Sequence, residues 1–297
     1  MIPSAGNPMS SSPTSVGEVR STNATRSGAA NGVVVVTSRT NSSSLSERLA
    51  LLANELGRSD RDWTILAEGN CSARLDDDLF FVKASGVRMS AAEPDGFVPL
   101  SIRTILNLVD DPDISDVQVQ EYFSSVASEF GGRRPSVEAL LHAVCLALPG
   151  VTTLAHTHPI AVNSILCSHR PELLVEGALF PDQIVILGPN PLLFPYADPG
   201  LELARAVRAA LIASPSPTPK VLYVQNHGMF ALGANDAEAL QVTEMAVKVA
   251  RIIIGASTVS EPAFMSPADV IRIDTRPDER YRRSVLAFSS SVEPVAL

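Results

Sequence analysis

Three of the five histidines in this chain fall in two places, His156-Thr157-His158 and, far downstream, Gln225-Asn226-His227-Gly228. Residues at i and i+2 of an extended strand project to the same face. The imidazoles of His156 and His158 can therefore share one ion, and a third histidine from elsewhere completes a facial set. Three neutral imidazoles with an open position are the ligand count of a catalytic divalent metal, since structural zinc sites are closed by four protein ligands. Glu138 lies a short helix upstream and is placed to act as a base.

The elements around these residues predict how they are delivered. Pro135-Ser136-Val137-Glu138 opens a helix through Leu148, with Ser136 as its N-cap and Glu138 in the first turn, where the helix dipole favours a carboxylate. His142 follows one turn later on the same face. A strand over Val151–Ala155 then presents His156 and His158, and a strand over Lys220–Gln225 presents His227 at a turn through Gly228, with Met229–Leu232 returning. Upstream, Ala67-Glu68-Gly69-Asn70-Cys71-Ser72 leads through the acidic turn Asp76-Asp77-Asp78 into a strand over Leu79–Lys83. That strand ends in Ala84-Ser85-Gly86. Glycine at both tips lets backbone N–H groups approach an anion closely.

Further helices are expected over residues 45–56, 117–130, 159–168, 201–213 and 236–254, the last capped by Asn235 and ended by Gly255. Gln183–Leu187 reads as a buried strand. Helices alternate with strands that also form hairpins, so the fold expected is α/β, with a mostly antiparallel or mixed sheet covered on both faces. Residues 1–44, rich in Ser, Thr, Asn and Gly, read as a disordered tail; residues 45–260 form the folded domain. Residues 261–297 read as a polar extension with a helix start at Met265-Ser266-Pro267, either a packing tail or a segment that covers a neighbouring subunit or the pocket mouth.

Composition excludes several classes of function. A net charge of −9 and no basic stripe argue against nucleic-acid binding. The apolar run from Ala139 to Ala155 is broken by His142 and Pro149-Gly150, short of a membrane span, and no secretory signal layout opens the chain. Cys71, Cys145 and Cys167 have no CxxC spacing and read as reduced structural thiols, which suits a cytoplasmic setting. A cupin would carry a glutamate shortly after His-x-His, where this chain has Pro159-Ile160-Ala161-Val162. A carbonic-anhydrase-like site would have its third histidine much nearer than His227.

The order Gly-Asn-x-Ser, Ser-Gly, Pro-Ser-x-Glu, His-x-His-Pro, Asn-His-Gly resembles the class II aldolase/adducin family, which includes L-fuculose-1-phosphate and L-rhamnulose-1-phosphate aldolases. The resemblance spans roughly residues 45–255. It implies a three-layer α/β/α fold and a homotetramer with sites at subunit interfaces. It further implies His156, His158 and His227 as ligands of Zn2+ or another divalent metal, and Glu138 as acid/base. Gly69, Asn70, Ser85, Gly86 and Ser136 correspond to the loops that hold the phosphate of a sugar-phosphate substrate. Related enzymes protonate the aldehyde oxygen with a tyrosine near the C-terminus or from a neighbouring subunit, and Tyr281 is the only tyrosine after the long helix. Two motifs depart from the pattern: Val137 stands where a second serine is usual, and Ala67-Glu68 replaces small hydroxyl residues, so an unphosphorylated substrate stays open. The implied reaction is retro-aldol cleavage, in which a cation held by neutral ligands stabilises the enediolate. The same ligand set serves a 4-epimerase, dehydratase or decarboxylase. An adducin-like binding module would be expected to have lost the histidines.

Overall fold

The computed structural model describes residues 30–213 and 217–289. The chain divides into two compact units, Met1–Arg39 and Thr40–Leu297; of the first only the opening turns of helix α1 (Ala30–Leu56) are described. Of the disordered tail expected over residues 1–44, residues 1–29 lie outside the described residues, and residues 30–44 belong instead to helix α1.

In the second unit, α1 leads into the hairpin β1 (Asn70–Arg74) and β2 (Leu79–Lys83), then β3 (Phe97–Ser101), α2 (Ile102–Asp110) and α3 (Asp116–Glu129). Next come α4 (Ala139–Leu146), β4 (Thr153–Thr157), α5 (Ile160–Leu166), α6 (Pro181–Leu187), β5 (Leu192–Phe194) and α7 (Leu201–Ala213). The hairpin β6 (Val221–Val224) and β7 (Gly228–Gly233) precedes the long α8 (Asp236–Val259), α9 (Pro267–Thr275) and α10 (Pro277–Ser289). Seven strands form one sheet in the order β3-β2-β1-β4-β7-β6-β5. Every pairing is antiparallel except β5 with β6.

Strand alternation divides the interior into two layers. Phe80, Val82, Leu154, Leu222, Phe230 and Leu232 point to one face, where they pack with α2, α3, α4 and α7. Cys71, Ala73, Ala155, Tyr223, Met229 and Ala231 point to the other, against α1, α5 and α8. All eight residues of α4 are buried, as expected for a helix apolar on every side that lies between a sheet and further helices. This is the three-layer α/β/α arrangement expected from the sequence. Among the described residues no helix is long and apolar enough to cross a membrane. All three cysteines are free, and burial pushes the Cys71 and Cys145 thiols up.

Three local expectations are corrected. Gln183–Leu187 lies in helix α6, not in a strand: Pro181 takes the first helical position and Ile184, Val185 and Leu187 are buried. A short apolar run does not separate a buried strand from a buried helix, and the proline start was the deciding signal. Helix α8 runs past Gly255 to Val259. A Cβ on Gly255 would meet nothing within 4 Å, so this glycine occupies an open helix position at a cost of about 1 kcal/mol against alanine and stops nothing. At α4 the N-cap position belongs to Glu138 rather than Ser136. Toward the helix backbone the Ser136 side chain makes a long bond, its Oγ accepting from Glu138 N–H at 3.4 Å.

Candidate metal centre

Register fixes which side chains meet. β4 pairs with β1 on one side and β7 on the other, setting His156 opposite Asn70 and opposite Phe230. Asn70, Ser72, His156 and Phe230 therefore face α4, which carries Glu138 and His142. His158 follows directly after β4, and His227 sits in the β6–β7 turn beside Asn226, whose φ is +55°. One ring nitrogen from each of His156, His158 and His227 lies within 4.8 Å of the others.

The contacts fix the imidazole protons. His156 Nδ1 is 2.9 Å from the Met229 carbonyl oxygen, which can only accept, so Nδ1 carries the hydrogen. His158 Nδ1 faces Glu68 Oε2 at 3.2 Å. The remaining nitrogens converge: His158 Nε2 is 2.9 Å from His156 Nε2, and Glu138 Oε1 is 3.1 Å from His156 Nε2 and 2.9 Å from His227 Nε2. Burial, together with the neighbouring His156 and His227, pushes the His158 imidazole down to about 3, so it is neutral. A single proton on His156 Nε2 cannot point at both the His158 lone pair and the carboxylate. One cation among the three imidazoles would take their lone pairs and leave the Glu138 carboxylate facing it, and ligands about 2.0–2.2 Å from a tetrahedral ion lie roughly 3.3–3.6 Å apart, a few tenths of an ångström wider than the 2.9 Å between His156 and His158. The donor set therefore fits a divalent metal, with the three histidines as ligands and Glu138 on its open side.

Glu138 is buried, which pushes its carboxyl up, but the His156 and His227 imidazoles outweigh burial and hold it well below the usual carboxylate range. Its second oxygen accepts from Asn70 Nδ2 at 2.7 Å, and the same amide reaches Ser136 Oγ at 3.4 Å. Phe230 lies flat on His156, ring centroids 3.9 Å apart and 10° from parallel, with the edges of His142 and His227 toward it. His142 is buried; its Nδ1 is 2.6 Å from Ser72 Oγ, and burial pushes its imidazole down to about 3.

The structure gathers most of the residues singled out in the sequence. Asn70 comes together with Ser136 and Glu138, and the bridge between Ala84 and Pro135 sets the exposed Ser85-Gly86 turn beside the Ser136 loop. Gly69, at φ +70°, has no room for a side chain, since a Cβ would lie 2.9 Å from the His156 carbonyl oxygen. Lys83, fully buried on the opposite sheet face, donates to the Ala84 and Val87 carbonyls and so holds the Ser85-Gly86 turn. Tyr281 sits elsewhere: it is exposed on α10, whose main packing partners are α6 and α9. The sequence reading missed the Glu68–His158 contact, the donation from Asn70 to Glu138 and the Phe230 platform. Alternation along β7 would have placed Phe230 on the histidine face, whereas a contact from loop to ligand leaves no periodic signal.

The fold is shared with known proteins. The sequence model of the "Class II Aldolase and Adducin N-terminal domain" family matches residues 47–254. The uncharacterized oxidoreductase YuxG of Bacillus subtilis is 26% identical over 205 residues, covering 66% of this chain but only 28% of YuxG. The chain thus matches less than a third of that relative. An L-fuculose 1-phosphate aldolase structure superposes with a TM-score of 0.60 at 18% identity, over 80% of this chain and 96% of that one. YgbL from Klebsiella pneumoniae superposes with a TM-score of 0.59 at 18% identity, over 78% and 98% respectively. With the family matched across most of its length, and a fold shared with solved members, the chain belongs to the class II aldolase and adducin N-terminal domain family.

Proposed function

We propose that this protein is a metal-dependent aldehyde-lyase that cleaves a ketose or ketose phosphate by a retro-aldol reaction. The observation that carries the reading is the convergence of three imidazole Nε2 atoms and Glu138 Oε1 on one point, which single protons cannot satisfy. His156, His158 and His227 would hold Zn2+ or another divalent ion, whose affinity order leaves the choice to geometry and supply. Bound there, the ion supplies Lewis-acid stabilisation of the negative charge that develops on the substrate oxygens.

The chain's own residues do the rest. Glu138, held ionised by the imidazoles and oriented by Asn70, moves the proton between substrate hydroxyl and carbon. The exposed Ser85-Gly86 turn and Ser136, with the buried Gly69 and Asn70 behind them, would hold the far end of the substrate. Tyr281, exposed on α10, would be supplied by the neighbouring copy of a homotetramer to take the proton from the hydroxyl that becomes the aldehyde and relay it, the reverse of protonating the aldehyde oxygen in the aldol direction. The free thiols suit a reducing, cytoplasmic setting.

The test is metal content of the purified protein beside His156→Ala, followed by cleavage assays on ketoses and ketose 1-phosphates. About one divalent ion per chain, lost in the variant, with aldehyde released on cleavage, establishes the reading. An ion bound without cleavage of any ketose moves the assignment to epimerisation, dehydration or decarboxylation at the same site. Absence of any ion overturns the catalytic reading in favour of a binding module.

A further inference from the structure

The segment from Asp62 to Gly69 is fastened to the chain around His158 at three points. The His158 N–H donates to the Trp63 carbonyl at 2.9 Å, the Ile160 N–H donates to the Asp62 carbonyl at 3.1 Å, and Glu68 Oε2 meets His158 Nδ1 at 3.2 Å. Glu68 is braced from within its own loop: its other oxygen accepts from the Ile65 N–H at 2.7 Å, and its own N–H donates to the Ile65 carbonyl at 3.2 Å. The loop pays for this shape in backbone strain, since Asp62 and Leu66 hold φ of +56° and +51°, a region costing of order 1 kcal/mol or more for residues other than glycine. Such strain persists where the surroundings over-determine it. Besides its two backbone bonds, the strained loop aims a carboxylate at the most exposed of the three histidines: the His158 side chain is 21% exposed, against 9% and 0% for His227 and His156.

We propose that Glu68 is a positioning residue for the metal centre. It fixes the tautomer and ring orientation of His158 and raises the basicity of its Nε2, so the loop over residues 62–69 sets how tightly the ion is held. Each ligand then has a different anchor. His156 has the Met229 carbonyl and the Phe230 face, and His227 lies beside Glu138. His158, lying beyond the end of β4, relies on Glu68. The inference rests on the metal-binding part of the proposed function and on no particular substrate.

The experiment is Zn2+ affinity of the full chain by competition with a chromophoric chelator, and the absorption spectrum of the Co2+-loaded form. Wild type, Glu68→Gln, Glu68→Ala and His156→Ala are compared, with melting temperatures of the metal-free proteins alongside. A carboxylate partner of a ligating histidine is worth roughly 10–100-fold in metal affinity. Glu68→Ala is expected to lose that much and to show an altered Co2+ spectrum. Glu68→Gln keeps one acceptor oxygen but no charge, and is expected to fall clearly below wild type as well. Should Glu68→Ala fail to fold, Glu68→Gln carries the test. Wild-type affinity in Glu68→Gln would show that the side chain merely braces the loop, and would overturn the proposal while leaving the metal site intact. A wild-type protein that binds no ion overturns both this inference and the proposed function.

Discussion

Gly228 is needed for space rather than for backbone freedom, and replacing it gives a quantitative test of the metal centre. A Cβ at this position would lie 2.5 Å from His158 Cδ2, 2.7 Å from the Thr157 carbonyl oxygen and 3.3 Å from His156 Cε1. The ring could swing away, but the Thr157 carbonyl belongs to the strand paired with Met229, so β4 and β7 must also part. Reaching the ordinary contact range that begins at 3.4 Å requires His158 to move by 3.4 minus 2.5, or about 0.9 Å. Ligand distances in a metal site tolerate only about ±0.2 Å. Gly228→Ala should therefore cost about 1–3 kcal/mol of metal-free stability through overpacking and lower Zn2+ affinity by at least about tenfold, the low end of what disturbing a ligand's support costs. Urea unfolding of the metal-free chain and chelator competition read the two effects separately. The control is Gly86→Ala, at φ +81° with nothing within 4 Å, which should strain the backbone by about 1–2 kcal/mol and leave metal affinity unchanged. Wild-type affinity in Gly228→Ala would refute the assignment of His158 as a ligand.

Three further outcomes are expected. Loading with Zn2+ at 100 times its dissociation constant should stabilise the fold by about 2.7 kcal/mol; calorimetry should show the gain reversed by a chelator and absent in His156→Ala. Glu138→Gln preserves volume and the acceptor for Asn70, so the ion should stay bound while turnover of any accepted substrate falls by about 10²–10⁴-fold, a split that single-turnover kinetics with parallel metal analysis resolves. Burial holds the Lys83 ammonium below the ordinary lysine range, so as pH approaches that range the unfolded chain binds the extra proton and this group's contribution to stability rises with pH. Urea midpoints across the alkaline range should therefore rise less, or fall more, in Lys83→Met than in wild type.

The histidine triad could be read from sequence because its geometry is local: His-x-His needs only the period of a strand, and His227 announces itself beside a glycine turn. The same holds for Ser136 and Glu138 ahead of an apolar helix, although the cap position lies two residues later than Ser136, at Glu138. Strands β3 and β5 went unread. β5 spans three residues, too few for any period to show, and β3 contains Pro99, which strand patterns exclude from central positions but an edge strand accepts. Asn70 shows the deeper limit. Its motif marked it as an anion binder, yet its amide donates to Glu138, a contact created by the pairing of β1 with β4 and by the packing of α4 over both. Pairings between strands eighty residues apart carry no signature in either strand alone.

The central place of β4 has a consequence for how the length of this chain can vary. Inserting or deleting one residue within Thr153–Thr157 would turn His156 toward the α8 face and Thr157 toward Glu138, because strand faces alternate with a period of two. A two-residue change would restore the face but slide the histidine along the sheet by about 6.6 Å, well beyond any ligand bond. With β1 and β7 both paired along it, the strand cannot absorb the change by slipping at an edge. Functional relatives should therefore differ in loop length almost anywhere before they differ in the length of this strand, and a single-codon insertion scan across the gene should find β4 among its most intolerant segments.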